Sequence, residues 1–229
     1  MKKSTYILAS ILALLFLFGA NSVNAQEVED DREFDYIEGS PKGPEKWGDL
    51  KPEWAACKNE RMQSPIDLSL AKHTINGRRY DMELHMVHES PDVNVQNRIA
   101  VVGVLYQIGH PDPFLSMLNA SISSLIGQKD EEVNLGVINP NDIQSGSPSY
   151  YRYMGSLTTP PCTEGVIWTV NTKVKTVSRS QINLLKEAVL YYAKENARPL
   201  QPRNNRDIFL YFSRFGTLTF TNLHPLYQM

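Results

Sequence analysis

The sequence predicts a mainly β protein with short helices at its edge, and three stretches carry that prediction. Residues 80–89, YDMELHMVHE, alternate apolar and polar side chains, as a strand with one buried face does. Residues 98–109, RIAVVGVLYQIG, form a continuous run rich in β-branched residues, as a strand buried on both faces does. Residues 165–177, GVIWTVNTKVKTV, read as a further strand. The first two pair as a hairpin through Ser90 to Asn97. Helical spacing occurs at 112–127 and at 178–195, SRSQINLLKEAVLYYAKE, where Ser178 or Ser180 supplies the N-cap. Residues 38–65 are rich in Gly and Pro and read as irregular, with Trp47 and Trp54 as anchors.

The two ends are set apart from this core. Residues 1–25 carry Lys2 and Lys3, an apolar run from Ile7 to Ala20 and a small-residue end at Val23-Asn24-Ala25, the pattern of a secretory signal peptide cut after Ala25. A membrane anchor is the other reading of the same run, which is short for a span. Residues 26–33, QEVEDDRE, form an acidic tail expected to be mobile. Cleavage leaves 204 of the 229 residues, enough for one core, and loss of Lys2 and Lys3 takes the formal charge from −2 to −4. That balance points away from nucleic acid, and no stretch of the mature chain is apolar and long enough to cross a bilayer.

A secreted chain with two cysteines, here Cys57 and Cys162, is expected to join them; two buried free thiols are the other reading. Asn119-Ala120-Ser121 is a glycosylation sequon, usable in a secretory compartment.

Strand geometry sorts the chemistry of residues 81–88. Asp81, Glu83, His85 and Val87 share one face; Met82, Leu84, Met86 and His88 share the other. His85 and His88 therefore cannot grip one metal together. Glu83 stands on the face of His85, where a carboxylate can take an imidazole N–H and fix its tautomer. On these residues alone two readings stand, a structural histidine held by its neighbour and a metal ligand.

GPEKWGDL, QSPIDL, HTINGRRYDMELHMVH, YYRYMGSLTTPPCTEGVIWTV and RPLQPRNNR occur in that order. From about Phe34 to about Ile208 the sequence resembles the α-class carbonic anhydrases, most closely their plant secretory branch. The resemblance implies a twisted, mostly antiparallel central sheet with short peripheral helices, spanning residues 34–208. It implies a zinc cofactor held by three histidines, whose bound water, with a pKa near ~7, attacks carbon dioxide to give bicarbonate. Residue by residue, His85 matches the third zinc ligand and Glu83 the carboxylate that orients it. Thr158 matches the threonine that aims the hydroxide, and Thr159 its bicarbonate-contacting neighbour. Val87, Val101, Leu157, Val166 and Trp168 match the apolar wall where carbon dioxide rests. His73, His88 and Tyr153 match buried structural groups, and Cys57 and Cys162 the family's extracellular disulfide. The destination implied is outside the cell, or the chloroplast by the secretory route.

The chain also departs from the pattern. The family's first two ligands come as His-x-His before a SPSEHT-like turn; here the turn reads SLAKHT, Ser69 to Thr74. Counting back from His85 puts those ligands at Ile66 and Leu68, which belong to QSPIDL. An internal segment is therefore expected to be missing near 68/69, and with it the two ligands and the proton-shuttle histidine. Lys72 stands where a glutamate should orient Thr158. Residues 209–229 do not match the family end and read as an atypical C-terminal tail. The expectation is a carbonic anhydrase by descent, truncated and impaired, with a non-catalytic secreted binding protein of the same fold as the alternative.

Overall fold

Among the described residues a six-stranded mixed sheet forms the centre of the molecule, its strands β1 (Met82–Glu89), β2 (Ile99–Ile108), β4 (Glu164–Asn171), β3 (Ser149–Ser156) and β6 (Phe209–Phe212) side by side in that order, with β5 (Lys175–Val177) also alongside β2. The computed structural model describes residues 33–68, 79–128, 132–143, 146–189 and 195–212. The expected leader, residues 26–32 of the acidic stretch, the 69–78 segment with Lys72 and His73, and residues 213–229 with His224 lie outside the described residues.

The expected hairpin is present. β1 (Met82–Glu89) pairs antiparallel with β2 (Ile99–Ile108), His85 opposite Gly103 and Val87 opposite Val101. β2 is bracketed on its other edge by β4 (Glu164–Asn171) and β5 (Lys175–Val177), both parallel to it, which is why its run from Val101 to Tyr106 is buried without alternation. β3 (Ser149–Ser156) pairs antiparallel with β4 and with β6 (Phe209–Phe212). The sheet thus takes in the first four residues of the C-terminal stretch that the sequence sets apart.

Two expectations about elements need correction. The single strand expected over 165–177 is broken into β4 and β5. Between them the Ser149 and Thr172 hydroxyls bond each other at 2.6 Å, and the Ser147 hydroxyl accepts the N–H of Lys173, so local polar bonds turn the chain out of the ladder. The irregular stretch 38–65 contains two single-turn α-helices, α1 (Trp47–Leu50) and α2 (Ala56–Asn59), with a 3-10 turn at Pro52–Trp54 between them.

Each face of the sheet has its own apolar cluster. One gathers Leu84, Met86, Val102, Val104 and Tyr106 under α3 (Pro113–Ser124) and α4 (Arg179–Ala188). Asp112 caps α3 and Ser178, not Ser180, caps α4 in a capping box with Gln181. Gln181 also accepts the N–H of Asp112 and donates to its carbonyl, so one amide ties both helix starts together. The other face gathers Val101, Leu105, Tyr153, Val166, Trp168 and Val170 with Ile66 and Leu68 of the QSPIDL segment. A third cluster, around Trp47 and Trp54, encloses the Cys57–Cys162 disulfide, so the two cysteines are joined as the sequence indicates. Closing a loop of 105 residues stabilises the fold by roughly 4–5 kcal/mol in the chain-entropy account.

Burial holds the phenols of Tyr153, Tyr106 and Tyr36 well above their ordinary value of 10.0; the charge of Asp112 adds to the effect at Tyr106. The folded state therefore keeps protons that the unfolded chain releases. Their contribution to stability is complete below pH 10.0 and is lost as pH rises above it. On alkaline titration these three phenolates should form late and in the same step as loss of near-UV circular dichroism. Their ionisation at pH 10.0 in the still-folded protein would contradict this.

Candidate active site

His85 and Glu83 project from β1 onto the face that carries Trp168. His85 Nε2 lies 3.2 Å from Glu83 Oε1, and both atoms are withdrawn from solvent. The imidazole meets the indole of Trp168 edge-on, ring centroids 4.8 Å apart. Trp168 stands on β4, with β2 between it and β1, so the contact spans β2. The residue there is Gly103, opposite His85 on one side and Val170 on the other. A Cβ at Gly103 would lie 2.6 Å from Glu83 Oε1 and 3.4 Å from Val170 Cγ2. The missing side chain is the space that the carboxylate occupies.

The second part of the site is the turn from β3 to β4. Leu157 donates its N–H to the carbonyl of Thr163, and Cys162 donates to the carbonyl of Thr159, closing a loop with a cis Pro160-Pro161 bond and the half-buried Thr158 and Thr159. The loop is tied down where it leaves the sheet. Ser64 donates its N–H to Ser156 Oγ at 2.9 Å, and Ser156 returns its N–H to Ser64 Oγ at 3.0 Å. The Ser64 hydroxyl also shares a bond with Tyr153 Oη, and the indole N–H of Trp168 donates to the carbonyl of Ser156. Gly155 makes this possible, because a Cβ there would lie 2.2 Å from Ser64 Oγ and within 3 Å of both the Tyr153 and Trp168 rings.

The residues of the expected apolar wall do converge on one face: Val101, Val166 and Trp168 are buried, with Val87 and Leu157 partly buried against them. His88 faces away from His85, on the side of the helix-covered cluster, and His110 is exposed in the turn after β2. No group of three or more His, Cys, Asp or Glu side chains suited to a metal ion occurs among the described residues. Ile66 and Leu68 sit on the side of His85 with relative exposures of 0% and 5%, packed in the wall cluster, and present only carbon.

A family model described as eukaryotic-type carbonic anhydrase matches residues 71–212. The chain belongs to that family. Carbonic anhydrase Nec1 of Nesocodon mauritianus is 43% identical over 92% of this chain and 97% of its own length. Alpha carbonic anhydrase 7 of Arabidopsis thaliana is 40% identical over 89% of this chain and 94% of its own. The crystal structure of dioscorin complexed with ascorbate superposes with a TM-score of 0.70 at 38% identity, over 79% of this chain and 98% of that one. The alignment to Nec1 runs over 267 residues, whereas 92% of this 229-residue chain is about 211. About 56 aligned positions of that carbonic anhydrase therefore have no counterpart here.

Carbonic anhydrases of this family depend on zinc, and the described side chains do not fit it. His85 offers a metal one imidazole nitrogen, and the buried side chains of Ile66 and Leu68 have no donor atom. A catalytic zinc site needs three protein ligands. Gly103, Gly155, Ser64 and Ser156 escaped the sequence reading. The one signal for Gly103 was a glycine inside a β-branched run; the serine pair gave none.

The two glycines should respond differently to alanine. At Gly155 the new methyl meets Ser64 and two aromatic rings that cannot move, costing about 3 kcal/mol. At Gly103 it meets the end of the flexible Glu83 side chain, which can swing away, and the cost should stay below about 1 kcal/mol. Urea unfolding of G155A and G103A gives both values, and equal costs would contradict the assignment.

Proposed function

We propose that this chain is a secreted carbonic-anhydrase-family protein in which reversible hydration of carbon dioxide to bicarbonate is impaired. One observation carries the reading. At the two positions that family spacing reserves for histidines, Ile66 and Leu68 are buried in the core beside Trp168. The positions of the relative that lack counterparts support an internal loss as the cause. The leader-like residues 1–25 support secretion, to the cell exterior or by that route to the chloroplast. Under this reading Thr158, Thr159 and Trp168 mark descent, and Thr158 has no hydroxide to orient. The retained sheet, disulfide and β3–β4 loop favour a second reading, a non-catalytic binding protein on the same scaffold.

One imidazole with water cannot match the affinity of a three-histidine site. Purified protein dialysed against buffer should hold zinc well below one equivalent and hydrate carbon dioxide no faster than buffer. Stoichiometric zinc together with sulfonamide-sensitive hydration would overturn the reading.

Restoring the side chains alone should not restore the chemistry. Ile66 and Leu68 lie in an irregular segment outside the sheet, so histidines placed there would not project from a strand beside β1. The double variant I66H/L68H should show background hydration in a stopped-flow indicator assay. A rate well above background would show that the segment can present both imidazoles.

A further inference from the structure

We propose that Asn119 carries an N-linked glycan on the outer face of α3, the helix-covered side of the sheet opposite His85; this rests on the secretory route proposed above. Asn119-Ala120-Ser121 is the one Asn-x-Ser/Thr triplet in the 229-residue sequence. The fold could have buried it and does not. α3 turns Phe114, Leu115 and Leu118 towards the core and leaves Asn119 and Ala120 exposed.

The surroundings give a second, independent reason. α3 has no charged residue over its 12 positions, and its solvent side is Ser116, Met117, Asn119, Ala120, Ser123 and Ser124. Met117 is 59% exposed there. α4, by contrast, carries Arg179, Lys186 and Glu187. On a helix face without charge, a bulky hydrophilic oligosaccharide at Asn119 covers the exposed Met117 and displaces no ion pair of α3. Because Asn119 and His85 lie on opposite sides of the sheet, the sugar does not obstruct the candidate site.

The acceptor is the Asn119 amide nitrogen. It attacks the anomeric carbon of the first sugar of a lipid-linked oligosaccharide donor; the N-glycosidic bond forms as the bond from that carbon to the phosphate oxygen breaks, releasing the lipid pyrophosphate and a proton. The Ser121 hydroxyl completes the recognised triplet.

The test expresses the full chain in a eukaryotic cell and compares material recovered from the medium before and after amidase deglycosylation. One discrete gain in gel mobility is expected for the native chain and for Ser121→Thr, which keeps the hydroxyl. None is expected for Asn119→Gln or Ser121→Ala. Gln is a better helix former than Asn, so the first variant does not weaken α3. Secreted native protein with unchanged mobility would overturn the glycan and leave secretion standing. Protein retained in the cytosol would overturn the secretory route and the glycan with it. A shift that persists in N119Q would overturn the assignment to this residue.

Discussion

The reciprocal bond between Ser64 and Ser156 is the constraint on which the rest of the site depends. It joins residues 92 positions apart in a buried setting and satisfies four polar groups at once. Gly155 supplies the close approach, and Tyr153 and Trp168 close around it. On one side the bond fixes the end of β3, from which the Thr158–Thr159 loop departs. On the other it fixes the QSPIDL segment, which lays Ile66 and Leu68 against the wall cluster. Losing the bond would release both at once.

Two buried guanidiniums extend this constraint to the chain ends. Arg198 donates to Gln63 Oε1 and to the carbonyls of Ser64 and Cys57; Arg206 donates to the carbonyls of Gln63, Pro202 and, more weakly, Met154. Burial pulls Arg198 down to about 10, against the opposing pull of Tyr36, so it is still charged at neutral pH. Hydrogen bonds to a charged donor contribute about 1.5–3 kcal/mol each. The RPLQPRNNR stretch therefore acts as a tie across Cys57, Gln63 and Ser64, beside the disulfide that links the same region to the β3–β4 loop.

This architecture separates the scaffold from the chemistry. Trp168, Val101 and Val166 are the residues that the sequence resemblance assigns to a substrate wall; in the structure they are core residues packed with Ile66 and Leu68. Packing alone is reason enough to retain them. Their presence is a statement about folding, and the donor set around His85 is the statement about catalysis. The Glu83–His85 pair persists on the same terms, seated in the space left by Gly103.

The sequence by itself determined the β1–β2 hairpin, the two faces of β1, the presence of helices within 112–127 and 178–195, the cysteine pair and the family, because alternation, helical spacing and motif order are local signals. It also showed that no His-x-His pair occurs in the 229 residues, since residue identity needs no coordinates. Only the tertiary structure decided the break between β4 and β5, the joining of Phe209–Phe212 to β3, and the roles of Gly103 and Gly155. Each depends on atoms brought together from distant parts of the chain. The Ser147–Ser149–Thr172 hydroxyls interrupt a ladder that sequence patterning would continue, and the two glycines are defined by what lies where their side chains would be.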